Sequence, residues 1–306
     1  MAEATRAADA LPRTTSRGEP RLTGLYVYPV KSARGVALTE AEVVATGLRH
    51  DRRWMVVDDA GRFVTQREEP RLALLHTALT PDALVLAAAG HGEARVPLAD
   101  DPGAPDARVT VWGDTVAAAV AGREASELVS DLLGARRRLV RFRDAARRDV
   151  PREPARVPPT PPPFGARVLF ADAYPFLLLS QAAVDLLNAK LAERSEPPVG
   201  VERFRANLVV SGCEPHAEDG WESLTVGDVA FTVAKPCTRC AVPTVDPATA
   251  AVGREPLRTL ARYRRDARGR VTFGQNLLHH DVGRLVLGDE VTAAPARAGA
   301  ARHGRP

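Results

Sequence analysis

The segment Lys235-Pro236-Cys237-Thr238-Arg239-Cys240 sets two thiols three residues apart with a guanidinium between them. Several uses fit that spacing. A structural zinc ion needs about four ligands, and the rest would have to come from Cys213 and seven scattered histidines, none at a paired spacing. A thioredoxin-type dithiol wants its pair at a helix N-terminus, which lowers a thiol pKa; here Ala241-Val242-Pro243-Thr244-Val245 follows and reads as β-rich. A single thiolate can instead ligate a soft or high-valent metal, with Arg239 stabilising negative charge beside it. Two small buried residues in a tight turn account for the same spacing with no chemistry at all. The motif alone leaves these readings open.

The elements that must position it are short. Prolines number 25 and glycines 23 in 306 residues, with 5% aromatic residues, which favours a turn-rich β structure over long helices. Apolar runs at 22–30, 43–45, 54–57, 71–75, 83–86, 94–98 and 109–112 read as strands, and Asp58-Asp59-Ala60-Gly61-Arg62 is a hairpin turn between 54–57 and 63–66. Val120, Leu128, Val129, Leu132 and Leu133 recur at helical spacing within 119–133, and Gly134 is placed to end that helix. Arginines crowd 136–148 with a single aromatic, Phe142, among them, which reads as a solvated face rather than as a nucleic-acid site. A proline-rich stretch follows to Pro163. After it, Ser180 caps a helix over 180–188, and 208–210, 224–226, 229–233 and 285–291 read as strands.

The fold class expected is therefore mainly β with α (α+β). The chain divides into an N-terminal disordered arm at 1–20, a β-barrel region with one helix at 21–145, a linker or mobile loop at 146–165, a second β-barrel decorated with helices at 166–294 and a disordered tail at 295–306. No apolar run approaches the roughly 18 residues of a membrane span, and 1–20 lacks the apolar stretch of a secretory signal. Three cysteines make no disulfide framework, which points to a reducing, cytoplasmic setting. A net charge of +4 is compatible with an anionic cofactor and says little about nucleic acid.

Taken together the motifs resemble the family in which a MOSC domain follows its β-barrel companion domain, the group that includes the amidoxime-reducing component. In the first region the likeness rests on Tyr28-Pro29-Val30-Lys31-Ser32, Gly47-Leu48, Asp51-Arg52-Arg53-Trp54-Met55-Val56 and the run from Thr65 to Leu72. In the second it rests on the run from Pro175 to Ser180, the run from Arg203 to Gly212, the Cys237/Cys240 motif with Thr244-Val245-Asp246-Pro247, the run from Glu255 to Leu260, Phe273-Gly274-Gln275 and Gly288-Asp289.

The resemblance implies that Cys240 ligates molybdenum of a molybdenum-pterin cofactor (molybdopterin). It also implies contacts to that cofactor from Lys31, Ser32 and Arg52 in the first region and from Arg205, Asn207, Thr238 and Arg239 in the second. Lys and Arg suit an anionic phosphate, and Ser, Thr and Asn suit the hydrogen-bonding edge of a pterin. Lys31, Arg52 and Arg205 are equally ordinary as surface charges, Asp246-Pro247 reads as a turn, and Cys237 reads as core packing. The implied reaction is reduction of an N-oxygenated small molecule, such as an N-hydroxylated amidine. Its electrons would come from a separate electron-transfer protein, ferredoxin-like, flavin or haem, because three cysteines fall short of the about four that an iron–sulfur cluster needs. Cofactor sulfurases also carry MOSC domains, so a cofactor carrier or a Cys240 persulfide carrier is the alternative. Pyridoxal phosphate on Lys235 is the weaker version of that alternative, since nothing resembles a sulfurase's own catalytic domain. Asn276 stands where the better-known reductases carry tyrosine.

Overall fold

The computed structural model describes residues 18–151 and 166–296. The residues assigned to the arm, the linker and the tail fall largely outside them, at 1–17, 152–165 and 297–306.

Alternation of apolar side chains builds the central sheet. In Phe176–Ser180, Phe176 and Leu178 join one cluster while Leu177 and Leu179 join another, and in Leu208–Ser211 the residues Leu208 and Val210 separate from Val209 in the same way. A period of two does this, because successive side chains leave a strand on opposite faces. The first cluster is a barrel interior that adds Leu25, Val27, Phe231 and Leu277. The second lies under the helix Gln181–Ala192, which contributes Ala183, Val184, Leu187 and Leu191. Each such fully buried aliphatic side chain contributes about 1.5–3 kcal/mol.

Eight strands form this sheet in the order Val291–Pro295, Trp221–Val226, Val229–Thr238, Thr272–His279, Phe176–Ser180, Leu208–Ser211, Arg21–Val27, Val36–Ala37. Phe176–Ser180 and Leu208–Ser211 run parallel, as a helical crossover requires. An antiparallel bridge from Arg21 to Glu290 and a hydrogen bond from Leu22 N to Asp289 O (2.9 Å) bring the first strand back to the last and close the barrel.

Strand partners do not follow the expected division at 145/166. Arg21–Val27 pairs with Leu208–Ser211, and Glu40–Val44 pairs with Gly283–Val286, so both enter sheets of the second half. Val36–Ala37 and Gly47–Leu48 enter those sheets beside them, and the other strands of the first half pair among themselves. Trp54–Val57, Arg138–Phe142, Asp114–Val120 and Asp106–Val111 form one sheet, and His76–Leu79, Ala83–Ala88 and Gly92–Pro97 another, with the helix Arg123–Leu133 packed on the latter.

Several local expectations need correction. Residues 70–74 are a 3-10 helix rather than a strand, with Pro70 in its first turn, and a five-residue apolar run is too short for periodicity to decide between the two. The first long helix begins at Arg123, because Ala119 and Val120 end the strand Asp114–Val120; Gly134 does terminate it, at φ 64°. The 58–62 turn forms, but its return arm is reduced to a bridge between Val57 and Phe63. The run 285–291 splits into two strands around Gly288. Ser180 occupies the N-cap position without capping, since its hydroxyl accepts from His216 N instead.

The arginine run 136–148 is not a solvated face. It contains the strand Arg138–Phe142, and the fold buries Arg141 and Arg148. Arg141 pairs with Asp100 (3.1 Å) and Asp144, Arg143 with Asp100 (3.2 Å) and Asp106 (2.8 Å), and Arg148 with Asp114 (2.7 Å). No helix among the described residues is long and apolar enough to cross a membrane.

Candidate functional site

The strand Val229–Thr238 carries two irregularities against Thr272–His279, between Val233 and Lys235 and between Pro236 and Thr238. Pro236 has no N–H to give to a ladder, and a bulge frees side chains from strict alternation. Lys235, Cys237, Thr238, Arg239 and Cys240 consequently line a single cavity of about 350 Å³. On the facing strand Gly274 sits at φ 80°, and a Cβ there would lie 2.6 Å from Leu178 O, so the close approach of Thr272–His279 to its other neighbour, Phe176–Ser180, requires glycine.

Other walls come from distant segments. Lys31, Ser32, Arg52, Arg67 and Trp112 enter from the first half, and Asp172, Arg205, Asn207 and Asn276 from the second. All eight residues nominated from the sequence, Lys31, Ser32, Arg52, Arg205, Asn207, Thr238, Arg239 and Cys240, therefore line the same space.

Three of them are held in the left-handed region: Ser32 at φ 67°, Arg52 at φ 46° and Arg205 at φ 57°. Non-glycine residues there cost about 1–3 kcal/mol each, a strain that persists where the surroundings over-determine it. Here the surroundings are visible. Gln66 Nε2 donates to Ser32 O (2.6 Å). Arg52 donates to Asn207 Oδ1 (3.1 Å), to Arg205 O (3.1 Å) and to buried Asp51. Asn207 donates in turn to Tyr26 O (3.1 Å) and accepts from Leu177 N (3.2 Å), which ties the barrel to both arginines. The guanidinium carbons of Arg52 and Arg205 lie 4.4 and 4.3 Å from the ring centroid of Tyr28, a cation–π arrangement anchored by Tyr28 OH donating to Ala206 O (3.1 Å).

The cavity is electropositive. Its walls carry six cations, Lys31, Arg52, Arg67, Arg205, Lys235 and Arg239, against one carboxylate, Asp172. Burial and the neighbouring Arg52 charge push the Arg205 guanidinium down to about 10. Burial likewise lowers Lys31, although Asp172 opposes the shift. Burial would raise Asp172, but the Lys31 charge and hydrogen bond overcome it and hold that carboxyl well below the usual range. Among the described residues, two buried arginine donors at this cavity have no partner, Arg205 Nη2 and Arg239 Nε. A buried donor without a partner costs about 1–3 kcal/mol, and an anion in the cavity is what these two could bond.

The two cysteines differ. Cys240 is exposed at the cavity. Cys237, expected as core, is only half-buried, lines the same cavity, and accepts a hydrogen bond from Arg239 Nη1 (3.1 Å). Arg239 is fixed further by Nη2 donating to Phe204 O (2.8 Å). Among the described residues no three His, Cys, Asp or Glu side chains gather so as to hold a metal ion. Asn276 does reach the cavity, with Nδ2 donating to Lys235 O (3.4 Å).

Sequence reasoning assigned no role to Tyr28, Arg67, Trp112 or Asp172. Tyr28 and Arg67 stood inside quoted motifs, and Trp112 could have been flagged as one of three tryptophans set in a turn signal, Trp112-Gly113-Asp114. Asp172 carried no signal.

Two domain families match the chain. Residues 19–136 match the model of the MOSC N-terminal beta barrel domain and residues 165–292 that of the MOSC domain. The chain is similar to mitochondrial amidoxime-reducing component 1 of Mus musculus, 36% identical over 280 residues that cover 87% of this chain and 80% of that protein. The Homo sapiens counterpart is 35% identical, covering 87% and 81%. Molybdenum cofactor sulfurase of Danio rerio is 36% identical over 272 residues, 84% of this chain but 32% of that longer protein.

Proposed function

We propose, from the premise that the chain belongs to the MOSC family in its two-part form, an N-terminal MOSC β-barrel domain followed by a MOSC domain, that it is a molybdenum-cofactor-binding oxidoreductase acting on N-hydroxylated or other N-oxygenated small molecules. One observation carries the reading: an exposed thiol, Cys240, opens onto a cavity whose cations outnumber its carboxylates six to one. The amidoxime-reducing relatives support the reaction class.

In this reading Cys240 would ligate the metal as a thiolate, while Arg239, donating to Cys237 Sγ (3.1 Å), adds positive charge to the same cavity wall. Lys31, Arg52 and Arg205 receive the anionic end of the cofactor, and Arg205 Nη2 and Arg239 Nε find their missing acceptors in it. Ser32, Asn207 and Thr238 offer polar groups to the ring edge. When bound, the cofactor supplies the redox chemistry, and the protein fixes its orientation. Phe176, Leu177 and Phe204 line the cavity and keep water from part of it. Electrons come from a separate ferredoxin-like, flavin or haem protein, and the reducing cytoplasm suits three free thiols.

The test is metal content. Protein made in a cofactor-producing host is expected to hold about one molybdenum atom per chain, lost in Cys240→Ala, and to reduce a benzamidoxime-type substrate with an artificial electron donor. Wild-type protein without molybdenum overturns the reading. The sulfurase similarity over 84% of this chain favours one second reading, in which Cys240 carries a persulfide for delivery. A mass gain of one sulfur atom on Cys240, with metal but no substrate turnover, would select it.

A further inference from the structure

Trp112 is an expensive residue to leave where it is. It is 49% exposed, whereas the other two tryptophans, Trp54 and Trp221, are buried. Its backbone lies at φ 56°, a region that a bulky side chain rarely adopts. Neither property serves the core, since the turn between Asp106–Val111 and Asp114–Val120 would form more readily with glycine or asparagine.

The ring is nevertheless held firmly. Its Nε1 donates to Asp172 Oδ1 (3.2 Å), the same carboxylate oxygen that takes Lys31. Arg67 Cζ stands 4.7 Å from the ring centroid, and Phe63 packs against it at 5.1 Å and 57°. These contacts occupy the indole N–H, one face and part of the edge. Half of the residue remains open to solvent, at the wall of the cavity that Cys240 lines from the opposite half of the chain.

We propose that Trp112 is the specificity-determining wall of the site: its open surface stacks against the planar, aryl-bearing end of an N-oxygenated substrate whose N–O group reaches toward Cys240. This rests on the oxidoreductase reading and adds the substrate class, aryl rather than alkyl. The first half of the chain thereby selects the substrate as well as contributing cations. Arg67 and Asp172 are positioning residues that fix the indole. An offset-stacked aromatic pair is favourable beyond the area it buries, and a pre-set ring obtains that gain with little ordering cost on binding.

The experiment uses full-length protein of measured molybdenum content. N-hydroxybenzamidine is titrated while tryptophan fluorescence is read, without electron donor so that nothing turns over. Quenching is expected in the wild type and absent in Trp112→Phe, where the two buried tryptophans remain. In steady-state assays Trp112→Ala should raise KM for the aryl substrate roughly tenfold against no more than about twofold for an alkyl amidoxime, with Trp112→Phe restoring most of the aryl KM. Quenching that survives in Trp112→Phe, or equal KM changes for aryl and alkyl substrates, overturns the inference. So does a wild type that binds the aryl compound without quenching. Loss of molybdenum from the wild type is a separate result, which overturns the oxidoreductase reading, while quenching by the aryl compound can still be read on the same sample.

Discussion

Arg141, Arg143 and Arg148 meet carboxylates at Asp100, Asp106, Asp114 and Asp144 wherever the fold takes their charge out of water. Around the cavity the balance is different: Lys31, Arg52, Arg67, Arg205, Lys235 and Arg239 share Asp172 at the wall and Asp51 behind it. In the sequence the first group looks the more basic. The lesson is that cation density does not mark a site; a deficit of counter-charge at buried cations does.

The two groups should respond oppositely to losing an arginine. Arg141→Met removes a buried guanidinium that bonds Asp100, Asp144 and two backbone carbonyls, while Asp100 keeps Arg143 and Asp144 N, so the unfolding free energy in urea should fall by about 3 kcal/mol, with molybdenum per folded chain unchanged. An unaltered denaturation midpoint would erase the contrast. Arg205→Met removes a buried cation that lacks a full set of partners. Its stability should stay within about 1 kcal/mol of wild type, while the cofactor is held about 100-fold more weakly, as the loss of one or two charge-assisted hydrogen bonds implies. Dialysis followed by metal analysis reads this directly, and full retention of the metal would remove Arg205 from the site.

Mild acid supplies the smallest effect. Burial pushes His279 down to about 4, and its Nε2 faces Val44 O at 2.8 Å. The unfolded chain takes up that proton near 6.5 and the folded one only near 4, so in this window the unfolded state binds more protons and stability falls as pH falls. A loss of about 2 kcal/mol between pH 6.5 and 4, discounted for solvent access, is expected in the barrel. Asp100 is held below the usual carboxylate value by Asp144 N and the nearby arginines despite some burial, so the stability it contributes persists until the pH drops beneath 3.8. His279→Gln should flatten the first slope, and an unchanged slope would assign it to other groups.

What could be read in the sequence was local. Cys240, Lys31 and Arg205 lay in motifs whose residue types matched the implied ligand, and strand periodicity located Trp54–Val57 and Leu208–Ser211 closely. What could not be read was partnership. A period of two says that Arg21–Val27 is a strand but not that it pairs with Leu208–Ser211. The arginines of 136–148 looked solvated because many of their carboxylates are distant in the chain, Glu69 lying 68 positions from Arg137 and Asp59 farther still from Arg136. Tyr28 gave no sign that it would support two guanidiniums, since that role exists only once Arg52 and Arg205 have been brought to it. Asp172 and Trp112 acquired meaning in the same way, from each other.

The pairing of Arg21–Val27 inside the second barrel also sets a timetable. Thr23 hydrogen-bonds Ser211, 188 positions further along the chain, so during synthesis the first strand waits for nearly two thirds of the protein before its neighbour leaves the ribosome. Tyr28, Lys31 and Ser32 follow that strand directly and must wait with it. Contacts of such high sequence separation are entropically slow to form, which makes the cavity a late product of folding, assembled after the outer sheets of the first half can already stand. A nascent chain halted anywhere before Leu208 would hold neither the closed barrel nor a place for the anion.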